Sequence, residues 1–224
     1  MQNRVLVDMP ELEGKALDLY EAAYGRAHYK TFSELSGSLP QIIKSRNKLP
    51  PFAHQPYHDM ESVFWILVWE LSQALPSPAS GNHQCQQPTL EEEVAFAEVF
   101  ESLQHHQFRG PKDSRYWLLS QDAEEWQATL HPGCQSVAPL LASMAEYVNI
   151  EWAHWPQLPF DYAHEAFKRL LLREIVRLQD SGDDIALQRE RRKVLPENRL
   201  RELTLSEPRS SKRQRLDPGG LKEL

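Results

Sequence analysis

Seven consecutive large apolar residues, Val63 to Trp69, most constrain what this chain can fold into. An amphipathic surface helix shows one apolar stripe, so a run that is apolar on every side predicts a helix enclosed on every side. The run is far shorter than the roughly 20 residues a membrane span needs. A short buried strand is the rival reading, because periodicity does not separate the two in so short a stretch. The flanks favour a helix. Asp59 is placed as an N-cap for the backbone N–H groups of Glu61 or Ser62. Glu61 falls in the first turn, where the helix dipole favours negative charge. Glu70, Leu71, Gln73, Ala74 and Leu75 are good helix formers, and Pro76 is a stop. The sequence thus predicts a central helix over Asp59–Leu75, the hub of a mainly α domain.

The wording around that helix is specific. It reads His54-Gln55-Pro56-Tyr57-His58-Asp59-Met60-Glu61-Ser62, and Trp65 and Trp69 punctuate the apolar run. This resembles the fungal-type protein kinases, whose signature has the form His-x-x-x-Asp-Leu-Glu-Ser-Phe and leads into the large central helix of the kinase C-lobe. Upstream, Ser36-Gly37-Ser38-Leu39-Pro40 is similar to that family's Thr-Gly-Thr segment at the end of the activation loop. The resemblance runs from about Ser36 to Gln179. It implies a kinase-like C-lobe, a helical bundle around one buried helix, with no complete N-lobe. In kinases the residue matching Asp59 also ties the catalytic loop to the helix.

Phosphoryl transfer by positioning and charge stabilisation needs several parts. A Gly-rich loop must close its backbone N–H groups over the phosphates, and this chain contains no Gly-x-Gly. A lysine on an N-lobe strand must reach the nucleotide, and no strand-rich lobe precedes the central helix. No His-Arg-Asp triplet supplies a catalytic base. Asp-x-Gly occurs at Asp180-Ser181-Gly182 and Asp217-Pro218-Gly219, both after the central helix, where a helix terminus and a tail turn account for them. Val5-Leu6-Val7-Asp8 has the apolar-strand-then-Asp shape of the family's metal-binding segment, so Asp8 is a weak metal candidate, followed by a divergent Met9-Pro10. No catalytic residue, cofactor or assembled metal site is expected from these residues.

Other candidates have plainer readings. His54 and His58 are four apart, a spacing that holds a metal on a helix, but Pro50, Pro51 and Pro56 predict a loop there. His83-Gln84-Cys85 lies in a Pro/Ser/Gly/Gln-rich loop with no second ligand pair, and His105-His106 reads as a solvated helix end. Trp117, Trp126, Trp152 and Trp155 have few basic neighbours, so they read as helical core and not as a base-stacking platform.

At 224 residues the chain is one domain with tails or two small domains. Residues 1–35 resist assignment: Arg4–Asp8 reads as a short strand, and Glu11–Tyr29 as a helix weakened by Gly14 and Gly25. Residues 36–180 form the predicted helical domain, with 36–58 mostly loop. Thr89 and Glu92 make a capping box for a helix burying Leu90, Val94, Ala97, Phe100 and Leu103 and ending near His106. Short helices follow near Asp113–Leu118 and Ala123–Leu130, with a turn at His131-Pro132-Gly133 and a helix from Ser136. Asp161 caps the last helix and Gly182 ends it. Ala163, Phe167, Leu170, Leu171, Ile175 and Leu178 line its expected buried face; His164, Lys168, Arg169, Arg173 and Arg177 line the polar one.

Net charge is −7 overall, yet residues 185–224 carry 11 basic and 6 acidic side chains, +5, which leaves −12 for the rest. An acidic body argues against a compact nucleic-acid-binding domain. From Asp183 the chain reads as a disordered tail with an optional helix over Asp184–Val194. Lys212, Arg213 and Arg215 form a basic patch of the nuclear-import kind, beside Ser206, Ser210 and Ser211, whose phosphorylation would neutralise it. The lack of an apolar leader or span and the two unpaired-type cysteines, Cys85 and Cys134, predict an intracellular protein, cytoplasmic or nuclear, with no membrane contact. The reading these lines favour is a C-lobe portion of a fungal-type protein kinase, truncated or degenerate, without phosphotransfer of its own. Its rivals are a non-catalytic helical interaction module for an unknown protein partner, and an unrelated all-α protein.

Overall fold

A computed structural model describes residues 6–38, 56–77, 87–104, 115–150, 152, 155, 158–182 and 185–195. The molecule is mainly helical, and among the described residues the only β-type pairing is one antiparallel bridge between Pro76 and Leu187. The chain divides after Val194, and the described elements belong to the first unit. The helices are α1 (Gly14–Tyr24), α2 (Arg26–Ser38), α3 (Pro56–Ser72), α4 (Leu90–Gln104), α5 (Arg115–Leu118), α6 (Ala123–Thr129), α7 (Ala138–Val148) and α8 (Tyr162–Ser181). A 3-10 turn, η1 (Pro132–Val137), leads into α7.

The expected strand at the N-terminus is absent from its described part: Leu6–Asp8 run extended without a sheet partner. Side-chain donors satisfy this segment instead, the Tyr147 hydroxyl bonding to the Asp8 carbonyl and the Tyr162 hydroxyl to that of Val7 at 3.3 Å. The single helix expected over Glu11–Tyr29 is two. Gly25, at φ 85°, takes a conformation costly for any residue with a Cβ and turns the chain between α1 and α2. Helix α2 then continues through Ser36, Gly37 and Ser38, which the sequence placed in a loop.

The central helix differs from expectation in two ways. It starts at Pro56, whose missing N–H costs nothing at a first helical position, so Asp59 lies inside the first turn and is no N-cap. Glu61 then falls beyond that turn, and its carboxylate accepts a bond from the Trp65 indole N–H at 3.2 Å. Nor is the helix enclosed on all sides. Met60, Phe64, Trp65 and Val68 are buried, but Val63 and Ile66 are 49% and 63% exposed. Helix α3 packs on α4, α7 and α8, and among the described residues one flank, at Val63 and Ile66, stays exposed. Along that flank, Asp59, Val63, Ile66 and Glu70 follow one another at helical spacing.

Around α3 the core is aromatic. Phe64 meets the fully buried Trp126 edge-on at 6.2 Å, and Trp69 stacks on Phe100 at 5.2 Å. Such pairs add to the area they bury. The Thr89–Glu92 capping box forms as expected, at 2.7 and 3.2 Å. The α4 helix is rotated from the expected face: Phe96, Val99 and Leu103 are buried and Val94 is exposed. Gly182 closes α8 in the left-handed region, and Asp161 stands at its N-cap position without a side-chain bond.

Two further expectations fail on α8 and beyond it. Arg169 is buried and Ile175 exposed, against the predicted faces: Pro10, Tyr29 and Ser33 enclose the Arg169 guanidinium, while His164, Arg173 and Arg177 stay exposed as expected. Residues 185–194, expected to be disordered or helical, run as an extended strap against the end of α3. The chain beyond 195, including Lys212, Arg213 and Arg215, lies outside the described residues.

Candidate functional site

The residues singled out by the family motif stay dispersed along α3. Asp59 is exposed, Ser62 donates from its hydroxyl to the His58 carbonyl at 3.0 Å, and Trp65 and Trp69 face the core. Asp8 is exposed at the surface, and its described contact to Tyr147 runs through its carbonyl. His54, His83, Cys85, His105 and His106 lie outside the described residues. Among the described residues no group of three or more His, Cys, Asp and Glu side chains is arranged to hold a metal.

The chemistry concentrates elsewhere, around two buried arginines. The first, Arg169, is fully buried on α8. Its Nε donates to Glu165 Oε1 at 2.8 Å, one turn back on the same helix. Its Nη1 donates to the Pro10 carbonyl at 3.2 Å and to Ser33 Oγ at 2.9 Å, and its Nη2 to the Tyr29 carbonyl at 2.8 Å. The guanidinium lies 4.0 Å from the centre of the Tyr29 ring. Glu165 also accepts from the Tyr20 hydroxyl and from Lys168 Nζ at 2.9 Å, and His28 Nε2 lies 3.5 Å away. These contacts join the segment at Pro10, α1, α2 and α8 into one clasp.

The electrostatics of the clasp are settled by those bonds. Burial alone would raise the Glu165 carboxyl, but the bonds from Tyr20, Lys168 and Arg169 outweigh it and hold the group below its usual value. Burial, reinforced by the Glu165 charge, pushes the Tyr20 hydroxyl well above its ordinary value. The carboxylate stays ionised and the phenol protonated across the physiological range. A general acid or base instead needs a value near the working pH.

The second arginine, Arg192, comes from the strap and is 5% exposed. Its Nη1 donates to the Thr129 carbonyl at 3.0 Å and its Nη2 to the Glu92 carbonyl at 3.1 Å; Glu93 lies 3.4 Å from Nη2. The guanidinium sits 4.1 Å from the centre of the Phe96 ring. Arg192 thus bridges α4 and α6. Nearby, burial and then the Arg192 charge lower His131, whose Nδ1 accepts the Gly133 N–H at 3.2 Å. Burial pushes the Cys134 thiol up to about 11, against the opposite pull of Arg192.

Neither socket was read from the sequence. The Glu165-x-x-x-Arg169 spacing was a usable signal for the first, since residues four apart on a helix face each other. The second left none: Arg192 stands in the Arg189-Glu190-Arg191-Arg192-Lys193 run with no mark of burial. Comparison with protein-family models, curated proteins and solved structures finds no match to this chain. No helix among the described residues is long and apolar enough to cross a membrane.

Proposed function

We propose that this chain is a non-catalytic helical interaction module built on a protein-kinase-like C-lobe of the fungal type. The observation that carries the non-catalytic part is the state of its buried charges. Glu165, Arg169 and Arg192 are spent on backbone carbonyls, on ring faces and on one another, joining segments of the chain. A buried, fully bonded carboxylate held ionised is a fastener; a catalytic carboxylate must exchange its proton at working pH.

The kinase-like part rests on the His54–Ser62 wording and on the place of the helix that carries it, packed against α4, α7 and α8. The resemblance also gives the open flank of α3 a use. Asp59 shares that flank with Val63 and Ile66, and in the family the matching Asp faces the catalytic loop. On the strip that a catalytic loop would cover in a kinase, Val63 and Ile66 are exposed and offer an apolar contact to a protein partner.

Calorimetric titration of the full chain with ATP and magnesium tests the proposal. The expected result is no saturable binding at micromolar concentration. Saturable binding there would overturn the non-catalytic reading, since it requires a phosphate cradle among these residues.

A further inference from the structure

The strap is attached in a way that resembles a bound peptide more than a piece of core. Its main chain pairs with the segment after α3: Ser77 N–H donates to the Ala186 carbonyl at 2.6 Å, Gln188 N–H to that of Leu75 at 2.8 Å, and Arg192 N–H to that of Gln73 at 2.9 Å. Main-chain pairing of this kind takes many sequences and leaves selection to the side chains that enter pockets. Two side chains of the strap select here. Gln188 Nε2 donates to the Pro76 carbonyl at 2.7 Å, and four residues on Arg192 fills its socket. Leu187 points outward at 55% exposure, and the apolar contact of the strap with the core comes from Ile185, ahead of the paired stretch. The receiving edge is acidic: Glu70 meets Arg191 at 3.0 Å, and Glu92 and Glu93 flank Arg192.

The Arg192 socket is also incompletely satisfied. Arg192 Nε and Glu93 Oε2 are both buried without a hydrogen-bond partner. A buried ion pair with unpaired atoms returns little of the cost of desolvating it. The strap is therefore selective in its contacts, and the pairing in its arginine socket is incomplete.

We propose that the groove along Gln73–Ser77, α4 and α6 is a docking site for an extended segment of a partner protein carrying glutamine and arginine four residues apart, and that residues 186–192 are its exchangeable occupant in cis. This deepens the interaction-module reading and rests on it, naming the partner chemistry for a groove that adjoins the exposed flank of α3 at Glu70. Loss of the groove would leave the nucleotide result untouched, so the two can fail separately.

The test is fluorescence anisotropy with a labelled peptide of residues 185–195, added to the full wild-type chain and to the full Arg192→Ala chain. The variant's own strap competes poorly, so it is expected to bind the peptide at least tenfold more tightly than wild type. A peptide of the same composition in scrambled order is expected to bind neither chain. Equal affinity of both chains for the peptide overturns the proposal, as does equal binding of the scrambled peptide, which reduces the effect to net charge. If Arg192→Ala does not yield folded protein, hydrogen exchange on the wild-type chain decides. Gln188 and Arg192 amides exchanging at least a hundredfold faster than those of α7 support an exchangeable strap. Exchange as slow as α7 makes the strap part of the core and sinks the idea.

Discussion

Arg169 and Arg192 are both buried, both lie over an aromatic ring and both reach backbone carbonyls, yet they do different jobs. Arg169 rises from the middle of a 20-residue helix beside its own carboxylate, one turn away. Its position costs little to hold, because α8 has already fixed both partners. Arg192 arrives on an extended segment whose backbone must be ordered for its sake, at about 1–2 kcal/mol per residue. Its carboxylate comes from another helix at 3.4 Å and keeps one oxygen unpaired. A buried arginine bonded mainly to preformed helices closes a fold. A buried arginine with bonds left over, on an extended segment with no helix of its own to fix it, is suited to be a latch.

Of the two arginines, the larger effect should come from breaking the clasp. Arg169→Ala leaves Glu165 buried without its main counter-charge, and such losses run to about 3–5 kcal/mol. A domain is stable by only about 5–15 kcal/mol, so the urea midpoint should collapse. A loss below about 1 kcal/mol, well short of the range for an uncompensated buried charge, would make the two arginines alike and remove the contrast. Removing both Glu165 and Arg169 should cost less than the sum of the single changes, since the two share one network.

Arg192→Ala should cost less, about 1–3 kcal/mol, the range for leaving buried polar partners unsatisfied. Its hydrogen-exchange signature should also be local, with faster amides at Gln188 and Arg192 and unchanged protection in α8. Protection lost throughout the molecule would mean that the strap is a keystone and no latch.

Acid should separate the two regions. The folded His131 value is lowered, so the unfolded chain takes up its proton first. Stability from this group is complete above the ordinary histidine value of about 6.5 and is lost as pH falls below it toward the lowered folded value. Protonation at Nδ1 also removes the acceptor for the Gly133 N–H. The Glu165 value is lowered too, and its contribution is complete above the ordinary glutamate value of about 4.3 and lost as pH falls through the depressed folded value. Urea midpoints against pH should therefore fall in two stages. His131→Gln should flatten the upper stage and Glu165→Gln the lower. A single stage unaffected by His131→Gln would show that the strap side does not titrate first.

The smallest effect is expected on the open flank of α3. Ile66→Asp should melt within about 0.5 kcal/mol of the parent, as exposed substitutions do. Trp65→Asp, one residue away and facing the core, should unfold the domain. A large loss at Ile66 would put a covering element over the flank and return α3 to full enclosure.

Much of the fold was legible where local chemistry decides. Thr89 and Glu92 announced the start of α4, Gly182 the end of α8, and the Val63–Trp69 run the packed middle of the body. What escaped were faces and partners. Seven apolar residues in a row look buried all round, although Asp59, Ser62 and Glu70 already mark the side that meets water. Glu165 and Arg169 look like a solvated stripe, because helical periodicity reports a shared face and not what lies against it. The strap has no periodicity, since its order comes from carbonyls of Gln73, Leu75 and Thr129 that only the folded body brings together. The same limit applies to the site: the motif named residues of α3, and the buried charges gathered on α8 and the strap.

Cys134 gives the latch side of the molecule a chemical clock. Its thiol is free, 1% exposed and held protonated, while thiol reagents attack the thiolate. In the closed molecule it is silent. Each labelling event records a moment when η1 parted from its neighbours and the sulfur met water. With Cys85 replaced by serine, the alkylation rate of the native protein counts those moments directly. An occupant that holds the groove shut would slow the clock, and one that pries the edge open would speed it.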